Sequence, residues 1–333
     1  MHYFIGNLGH FFIILSFVTS LVAAFAYFKA ARLQGATLQS DWLQHGRLIF
    51  YVHVVAVIGA SIALFAIIYN HYFEYHYAYR YSSKNLPVYY MVSTFWNGQE
   101  GSFLLWIIWN ALIGLVLIRT NKFWEAPVMT VFALVQAFLA SMILGSVIPG
   151  LDLRIGSSPF ILLRDAIQAP IFITQPEFIP ADGQGLNPLL QNYWMVIHPP
   201  TLFLGYASTL IPFAYAVAGL WFKKYSDWIR PALPWALFSG AVLGLGILMG
   251  GYWAYETLNF GGYWNWDPVE NAVYVPWLIL VGAIHTMITY KNSGTALKTS
   301  LELSITTFVL ILYSTFLTRS GVLGDSSVHS FTD

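Results

Sequence analysis

The chain has 333 residues, of which 57% are hydrophobic, 18% aromatic and only 9% charged, with a mean hydropathy of +0.62. Its 15 basic and 15 acidic residues cancel, which excludes the net positive field expected of a nucleic-acid-binding protein. It has no cysteine, which excludes a disulfide framework, thiolate metal ligands and a cysteine nucleophile from this chain. Such a composition is typical of an integral membrane protein.

Eight stretches of the sequence are apolar enough and long enough to cross a bilayer, which takes about 20 helical residues. We therefore predict an all-α, polytopic membrane helical bundle. The predicted spans cover residues 4–28, 47–69, 101–119, 126–148, 201–222, 235–254, 272–290 and 299–317.

These spans divide the chain into four parts. We expect a four-helix membrane region at 1–148, an outer-face loop at 149–200, a second four-helix region at 201–317 and an outer-face segment at 318–333. Within the long loop, residues 157–172 could form an amphipathic helix at the membrane interface.

The basic residues predict the orientation, because cytoplasmic loops are enriched in Lys and Arg. An even number of spans puts both termini on one side. The opposite side is the more basic and carries Lys29, Arg32, Arg47, Arg119, Lys122, Lys223, Lys224, Arg230, Lys291 and Lys298. The side of the termini carries only Arg80, Lys84, Arg154, Arg164 and Arg319. We therefore expect both termini and the long loop on the outer face.

The stretch "NFGGYWNWDPVENA", residues 259–272, is rich in rings and glycine. Gly261 and Gly262 let a flat ligand approach the backbone, and Tyr263, Trp264 and Trp266 offer faces on which a planar macrocycle could stack. An interfacial aromatic belt would also explain the rings. Asp267, which precedes a proline, could simply cap the next helix. Since a belt requires no carboxylate beside paired glycines, we favour a binding site.

Two histidines are predicted on the same outer face as this stretch. His198, in "VIHPPTLFLGY", precedes a proline pair that can start a helix, and His329, in "RSGVLGDSSVHSF", follows the last span. Histidine is the commonest protein ligand of heme iron, so two imidazoles could approach one macrocycle from opposite sides. Taken alone, His198 could be a capping residue and His329 part of a tail. Arg319 could bind lipid phosphate or a ligand carboxylate.

Two further histidines lie within predicted spans, each about six residues from the cytoplasmic end. His285 in the seventh span is a functional candidate, because an ionisable group inside the bilayer is costly. His53 in the second span could pair with it, although we favour a packing role for His53. The alternative for His285 is a neutral side chain bonded to a neighbouring helix.

The whole chain resembles the heme-handling membrane proteins that carry a tryptophan-rich motif, and within them the heme lyases of the CcmF kind. The resemblance rests on "NLPVYYMVSTFWNGQEGSFLLW", "LNPLLQNYWMVIHPPTLFLGY", "WAYETLNFGGYWNWDPVENAVYVPWL" and "FLTRSGVLGDSSVHSF", in that order. The resemblance covers only the N-terminal half of a typical member. A nitrite-reductase-specific lyase of the same family would look nearly the same.

The resemblance implies the roles of individual residues. The motif from Trp253 through Asn271 would form a heme platform, with His198 and His329 as its flanking histidines. His285 would match the first of two histidines that hold a second, membrane-embedded heme b. The second ligand lies beyond position 333 in the family, so the chain is a fragment, or a separate polypeptide completes it, or that heme is bound differently. Tyr263 stands where the family has another tryptophan.

The resemblance also implies a function. The chain would be a subunit of a cytochrome c heme lyase in the bacterial inner membrane, with both termini and the platform on the periplasmic side. It would hold heme b while the two vinyl groups are joined to the cysteines of a Cys-x-x-Cys-His segment. It would therefore position the macrocycle and the iron rather than supply a nucleophile.

The implied partners are a CcmE-like heme chaperone, a CcmH-like protein that presents apocytochrome, apocytochrome c itself, and quinol as a reductant. No nucleic acid is expected. Two other functions stay open. One is a heme exporter, although no inverted repeat or pair of broken helices is evident in the sequence. The other is a quinol-linked cytochrome b, which would use His53 and His285.

Overall fold

The computed structural model describes residues 1–33, 35, 38–148, 150–151 and 153–323. Most of these residues are helical. The long helices are α1 (Tyr3–Arg32), α2 (Gln39–Tyr69), α5 (Gln99–Thr120), α6 (Glu125–Met142), α9 (Tyr193–Trp221), α10 (Ile229–Thr257), α11 (Pro268–Ser293) and α12 (Leu297–Arg319). The short helices are α3 (His76–Tyr81), α4 (Val88–Asn97), α7 (Leu163–Ala166) and α8 (Pro170–Thr174), and Pro188–Leu190 is a 3₁₀ turn.

All eight long helices have the length and hydropathy needed to cross a membrane. The prediction of a polytopic helical bundle with eight spans is therefore confirmed. Helices α1 and α2 are each about 30 residues long, or about 45 Å at 1.5 Å per residue, which covers the hydrocarbon core together with part of the headgroup layers.

The fourth span ends earlier than expected. Helix α6 stops at Met142, and Gly145 turns the chain with a left-handed φ of 61°, which glycine adopts without a Cβ penalty. The chain then forms a small antiparallel hairpin of β1 (Ser146–Ile148) and β2 (Leu153–Ile155).

The fifth span begins earlier than expected, at Tyr193 rather than 201. The Oδ1 atom of Asn192 accepts a hydrogen bond from the backbone N–H of Trp194 at 2.8 Å, which satisfies one first-turn donor of the helix. Pro199 lies inside this helix and cannot donate to the carbonyl of Met195. The indole Nε1–H of Trp96 donates to that carbonyl instead, at 3.2 Å.

The interfacial helix expected at 157–172 is replaced by two short helices, α7 and α8. The backbone is extended at Ile167 and again at Ala169. Ala169 precedes Pro170, and the proline ring disfavours the helical conformation of the residue before it.

The chain folds into two compact units. Unit 1 consists of Met1–Phe25, Gln44–Leu112 and Ala133–Val196, and unit 2 of Ala26–Leu43, Ile113–Phe132 and Ile197–Asp333. The tryptophan-rich segment, His198, His285 and Arg319 belong to unit 2. His53 belongs to unit 1.

Helices α9 to α12 pack on each other within unit 2. Glycines bring α9 and α10 together, since a Cβ on Gly205 would lie 2.8 Å from the Cα of Leu243. The hydroxyl groups of Tyr206 on α9 and Ser314 on α12 are 3.3 Å apart. The indole N–H of Trp277 on α11 donates to the carbonyl of Gly240 on α10 at 2.9 Å.

Short connections join these four helices, so they run alternately up and down. The first residues of α9 and α11 and the last residues of α10 and α12 therefore lie at one end of unit 2. We call this the platform end. It includes His198, the loop 258–267 and Arg319.

Candidate functional site

The loop between α10 and α11 is held by the first turn of α11. Oδ1 of Asp267 accepts the N–H groups of Val269 at 2.7 Å and Glu270 at 3.0 Å, and Oε2 of Glu270 accepts the N–H of Asp267 at 3.1 Å. This reciprocal pair is a capping box, and Pro268 occupies the first helical position, where its missing N–H costs nothing. The capping role considered for Asp267 is therefore present in the structure.

Trp266 projects from this loop. Its side chain is 65% exposed, and its backbone is in the left-handed region with φ of 57°, which is unusual for a bulky residue. The side-chain Nδ2 of Asn271 donates to the carbonyl oxygen of Trp266 at 2.9 Å. Asn271 therefore contacts the backbone of the loop.

The rings at the platform end form two clusters rather than one floor. Trp264, Trp266 and Tyr274 contact each other at steep angles, with ring centroids 5.7 to 5.9 Å apart. Tyr263 belongs to the other cluster, where it stacks on Tyr255 at 4.3 Å with an interplanar angle of 8°. Tyr252 meets the edge of Tyr263 at 5.2 Å.

Glycines Gly261 and Gly262 lie where the loop is open. Gly261 has φ of 73°, and no described atom lies within 4 Å of a Cβ built on it. The nearest atom to a Cβ on Gly262 is a ring carbon of Phe260 at 3.7 Å, an ordinary contact. The backbone of Gly261 therefore requires glycine for its conformation, and the space beside both residues is open for a ligand.

His198 lies in the second turn of α9 and faces α10. Its Nδ1 is 2.8 Å from the carbonyl oxygen of Gly246. A carbonyl can only accept, so Nδ1 carries the proton and Nε2 has the lone pair, which is the tautomer that ligates metals through Nε2. A Cβ on Gly250 would lie 2.8 Å from Cε1 of His198, so the imidazole lies against a surface without side chains.

His198 and the tryptophan-rich loop meet at adjacent residues of α10. The imidazole of His198 contacts Gly250, and a Cβ on Gly251 would lie 3.0 Å from the carbonyl oxygen of Tyr263. Neighbouring residues of a chain have their Cα atoms about 3.8 Å apart. His198 and Tyr263 therefore contact neighbouring residues of one turn of α10 at the platform end.

The remaining predicted residues lie in different environments. Trp253 is 8% exposed within α10, so its indole lies in the packed interior. The guanidinium carbon of Arg319 is 5.5 Å from the ring centroid of Phe203 on α9. His329 falls outside the described residues.

The two histidines that lie within predicted spans differ in exposure and in their hydrogen-bond partners. His285 is exposed on the surface of unit 2, and its Nδ1 lies 2.8 Å from the carbonyl oxygen of Val281, one turn earlier in α11. His53 is fully buried in unit 1. Its Nδ1–H donates to the carbonyl of Ser16 at 2.9 Å, and its Nε2 accepts from the amide of Gln136 at 2.9 Å. Both ring nitrogens of His53 are engaged, which favours packing over iron ligation.

Several residues at the platform end carry no strong sequence signal. The spacing of Gly246 and Gly250 at i and i+4 is typical of close helix contact, but it does not identify a histidine as the group in contact. Tyr252 and Tyr255 lie three apart on one face of α10, which gave no reason to associate them with Tyr263. Within the part of the chain that the structure describes, no three His, Cys, Asp or Glu residues are arranged to hold a metal ion.

Residues 96–323 match the family model described as cytochrome C assembly protein. The chain is 33% identical over 332 residues to the cytochrome c-type biogenesis protein CcmF of Haemophilus influenzae, covering 98% of this chain and 47% of that protein. It is 34% identical over 290 residues to CcmF of Escherichia coli, covering 86% of this chain and 41% of that protein.

A solved structure titled cytochrome c heme lyase CcmF is also similar. It superposes with a TM-score of 0.75 at 27% sequence identity, over 96% of this chain and 48% of that chain. The chain thus spans about half the length of the relatives it matches.

Proposed function

The chain belongs to the cytochrome c assembly protein family, and from that premise we propose that it is the heme-holding part of a cytochrome c heme lyase. In this proposal the platform end and both termini lie on the periplasmic side of the bacterial inner membrane. The observation that carries the proposal is that His198 contacts Gly250 and the tryptophan-rich loop contacts the adjacent Gly251.

The residues at the platform end fit a heme group. The bond from His198 Nδ1–H to the carbonyl of Gly246 selects the tautomer whose lone pair is on Nε2, the form in which imidazole ligates iron. Trp266 and Tyr263 are 65% and 49% exposed and present ring surface to a macrocycle. The Nε1–H of Trp264 is buried and has no acceptor among the described residues. Arg319 at the same end would neutralise a propionate.

The reaction assigned to the complex needs positioning rather than a nucleophile from this chain. Heme is the substrate and supplies the two vinyl groups. At each one, the sulfur of an apocytochrome cysteine bonds to one vinyl carbon and its hydrogen goes to the other, so no net oxidation occurs. His198, together with His329, would hold the iron until the histidine of the incoming Cys-x-x-Cys-His segment replaces one of them. Because the chain contains no cysteine, it offers no competing thiol.

His285 is proposed to hold a second heme b within the membrane, with a ligand from residues outside this chain. Its exposure on α11 supports this role, because an imidazole on the surface of a membrane span faces whatever packs there. Quinol would reduce this heme. A CcmE-like heme chaperone would deliver heme to the platform, and a CcmH-like protein would present the apocytochrome.

The test is to produce the chain with its family partners and replace His198 or His329 by Ala. We expect each variant to lose heme at the platform and covalent cytochrome c, measured by heme staining of the denatured product. His45→Ala, at an exposed position on α2, is the control. Normal yields in both the His198 and His329 variants would contradict the proposal.

A further inference from the structure

The backbone of Trp266 is held in a conformation that tryptophan disfavours. Its φ of 57° is in the left-handed region, where the Cβ atom of an L-residue crowds the following carbonyl oxygen. An exposed loop residue would leave this conformation unless neighbouring groups prevented it, and such outliers concentrate at functional sites.

Two side chains of α11 hold the peptide groups on either side of Trp266. Oε2 of Glu270 accepts the N–H of Asn265 at 2.9 Å as well as that of Asp267 at 3.1 Å. Nδ2 of Asn271 donates to the carbonyl oxygen of Trp266 at 2.9 Å. Glu270 is only 9% exposed, so water competes weakly for its carboxylate.

Helix capping accounts for only part of this arrangement. A capping box requires the bond from Glu270 to the N–H of Asp267 and the return bond from the Asp267 side chain. The bond to Asn265 and the bond from Asn271 to Trp266 lie outside that motif. Both act on the loop before the helix, and both flank the left-handed residue.

The indole that results is presented for stacking. Trp266 contacts Trp264 and Tyr274 at interplanar angles of 84° and 78°. No ring lies flat on it among the side chains that the structure describes, so it can offer a flat face to a planar ligand.

We propose that Glu270 is a positioning residue that, together with Asn271, holds Trp266 in the left-handed conformation and so sets the orientation of its indole. This inference rests on the proposed function only for the identity of the ligand, a heme. The orientation of the indole is a property of the chain itself and can be measured without heme.

The first measurement is ¹⁹F NMR of the detergent-solubilised chain labelled with 5-fluorotryptophan. The chain has 13 tryptophans, so the resonance of Trp266 is assigned by its loss in Trp266→Phe. We expect Glu270→Ala to shift this resonance towards the position of a freely rotating indole. Glu270→Gln keeps an acceptor oxygen at the same place, so it should leave the resonance near its wild-type position.

Asn271→Asp provides a second variant if Glu270→Ala does not fold, because it leaves the capping box intact. It removes the donor to Trp266 without changing side-chain size, and we expect the same shift. An unchanged Trp266 resonance in folded Glu270→Ala or Asn271→Asp protein would overturn the inference. So would a Glu270→Gln variant as perturbed as Glu270→Ala, because the carboxylate would then act through its charge.

Titration with hemin, followed by the Soret band, separates this inference from the proposed function. We expect Glu270→Ala and Trp266→Ala each to weaken heme capture by about tenfold, the order of one aromatic stacking contact. If Trp266→Ala captures heme as the wild type does, the platform role of Trp266 fails, and the ¹⁹F shifts alone still decide whether Glu270 positions it.

Discussion

The Nδ1 atom of His198 lies 2.8 Å from the carbonyl oxygen of Gly246, one turn before Gly250 on the same helix. That single hydrogen bond fixes the tautomer of the imidazole and the direction of Nε2. Both positions on α10 are glycines, and a Cβ on Gly246 would lie 3.0 Å from the Cα of Leu202 on α9, so the two helices are in close contact here. The two helices therefore fix the orientation of the imidazole within the chain itself.

Gly250→Ala tests this arrangement. The new Cβ would lie 2.8 Å from Cε1 and 3.2 Å from Nε2 of His198, so the ring must move. We expect heme capture at the platform to fall by about tenfold or more, since metal-ligand orientation is sensitive to such contacts. Gly282→Ala is the matched control, because its Cβ would meet only Leu303 Cδ1 at 3.4 Å. Equal heme capture in both variants would show that His198 does not bind iron in this orientation.

Asp267→Ala should lower the free energy of unfolding by about 1 kcal/mol, the usual effect of losing an N-cap. The physical reason is the loss of the acceptor for the N–H groups of Val269 and Glu270. Asp267→Ser restores an acceptor oxygen and should recover most of the loss. Thermal unfolding of the solubilised chain measures the difference. If the Ala and Ser variants unfold at the same temperature, the cap does not contribute to stability.

His53→Ala should destabilise unit 1 by roughly 1 to 3 kcal/mol, because two buried hydrogen bonds are lost. Gln136 Nε2 keeps only its bond to the carbonyl of Ile107, and the carbonyl of Ser16 loses the donor from His53. Heme spectra should not change, since both nitrogens of His53 already have partners. A double-mutant cycle with Gln136→Ala measures the coupling, and the double variant should be less destabilised than the sum of the single ones. Loss of a b-type spectrum in His53→Ala would instead favour the cytochrome b alternative.

His285→Ala should remove the contribution of the membrane heme to the b-type spectrum of the assembled complex while leaving stability almost unchanged. The side chain is exposed on α11, and its Nδ1 bonds to the carbonyl one turn back in the same helix, so little packing is lost. Dithionite-reduced spectra of the membrane fraction measure the heme. A full b-type signal in this variant would exclude His285 as a ligand.

The stability of unit 1 should depend on pH through Glu74. Burial alone would raise the pKa of this carboxyl group, but hydrogen bonds from His2 and the charge of His2 lower it below its usual value of 4.5. A carboxyl group whose pKa is lower in the folded state contributes stability at pH values above the unfolded pKa. That contribution disappears as the pH falls through the folded pKa.

Glu74→Gln should therefore destabilise the chain near neutral pH and converge on the wild type in acid. Unfolding temperatures between about pH 7 and pH 3 measure this, and Glu177→Gln at an exposed position is the control. A constant difference between Glu74→Gln and the wild type across this range would contradict the assignment.

The eight spans could be predicted from the sequence because a bilayer requires about 20 apolar residues in each helix. Their ends could not all be predicted. The start of α9 depends on Asn192 and on the indole of Trp96, which supplies the donor that Pro199 lacks. The end of α6 depends on the hairpin that follows it. Hydropathy measures transfer into lipid and is insensitive to these hydrogen bonds.

The candidate residues could be predicted by type, because the tryptophan-rich stretch supplies ring faces and the segment around His198 supplies an imidazole. Their arrangement was not predictable. Tyr263 stacks on Tyr255 rather than lying beside Trp264, and Asp267 caps α11. Glu270 lies in the same stretch, and its bonds to the loop are seen only in the structure.

Composition and the spacing of apolar residues alone determined that this chain is a helical membrane protein with eight spans, because both depend on residues close together along the chain. Tertiary structure alone decided the tautomer of His198 and the division of the rings into two clusters. Each of these depends on a carbonyl or a ring supplied by another helix, and no local pattern specifies which helix face will be the neighbour.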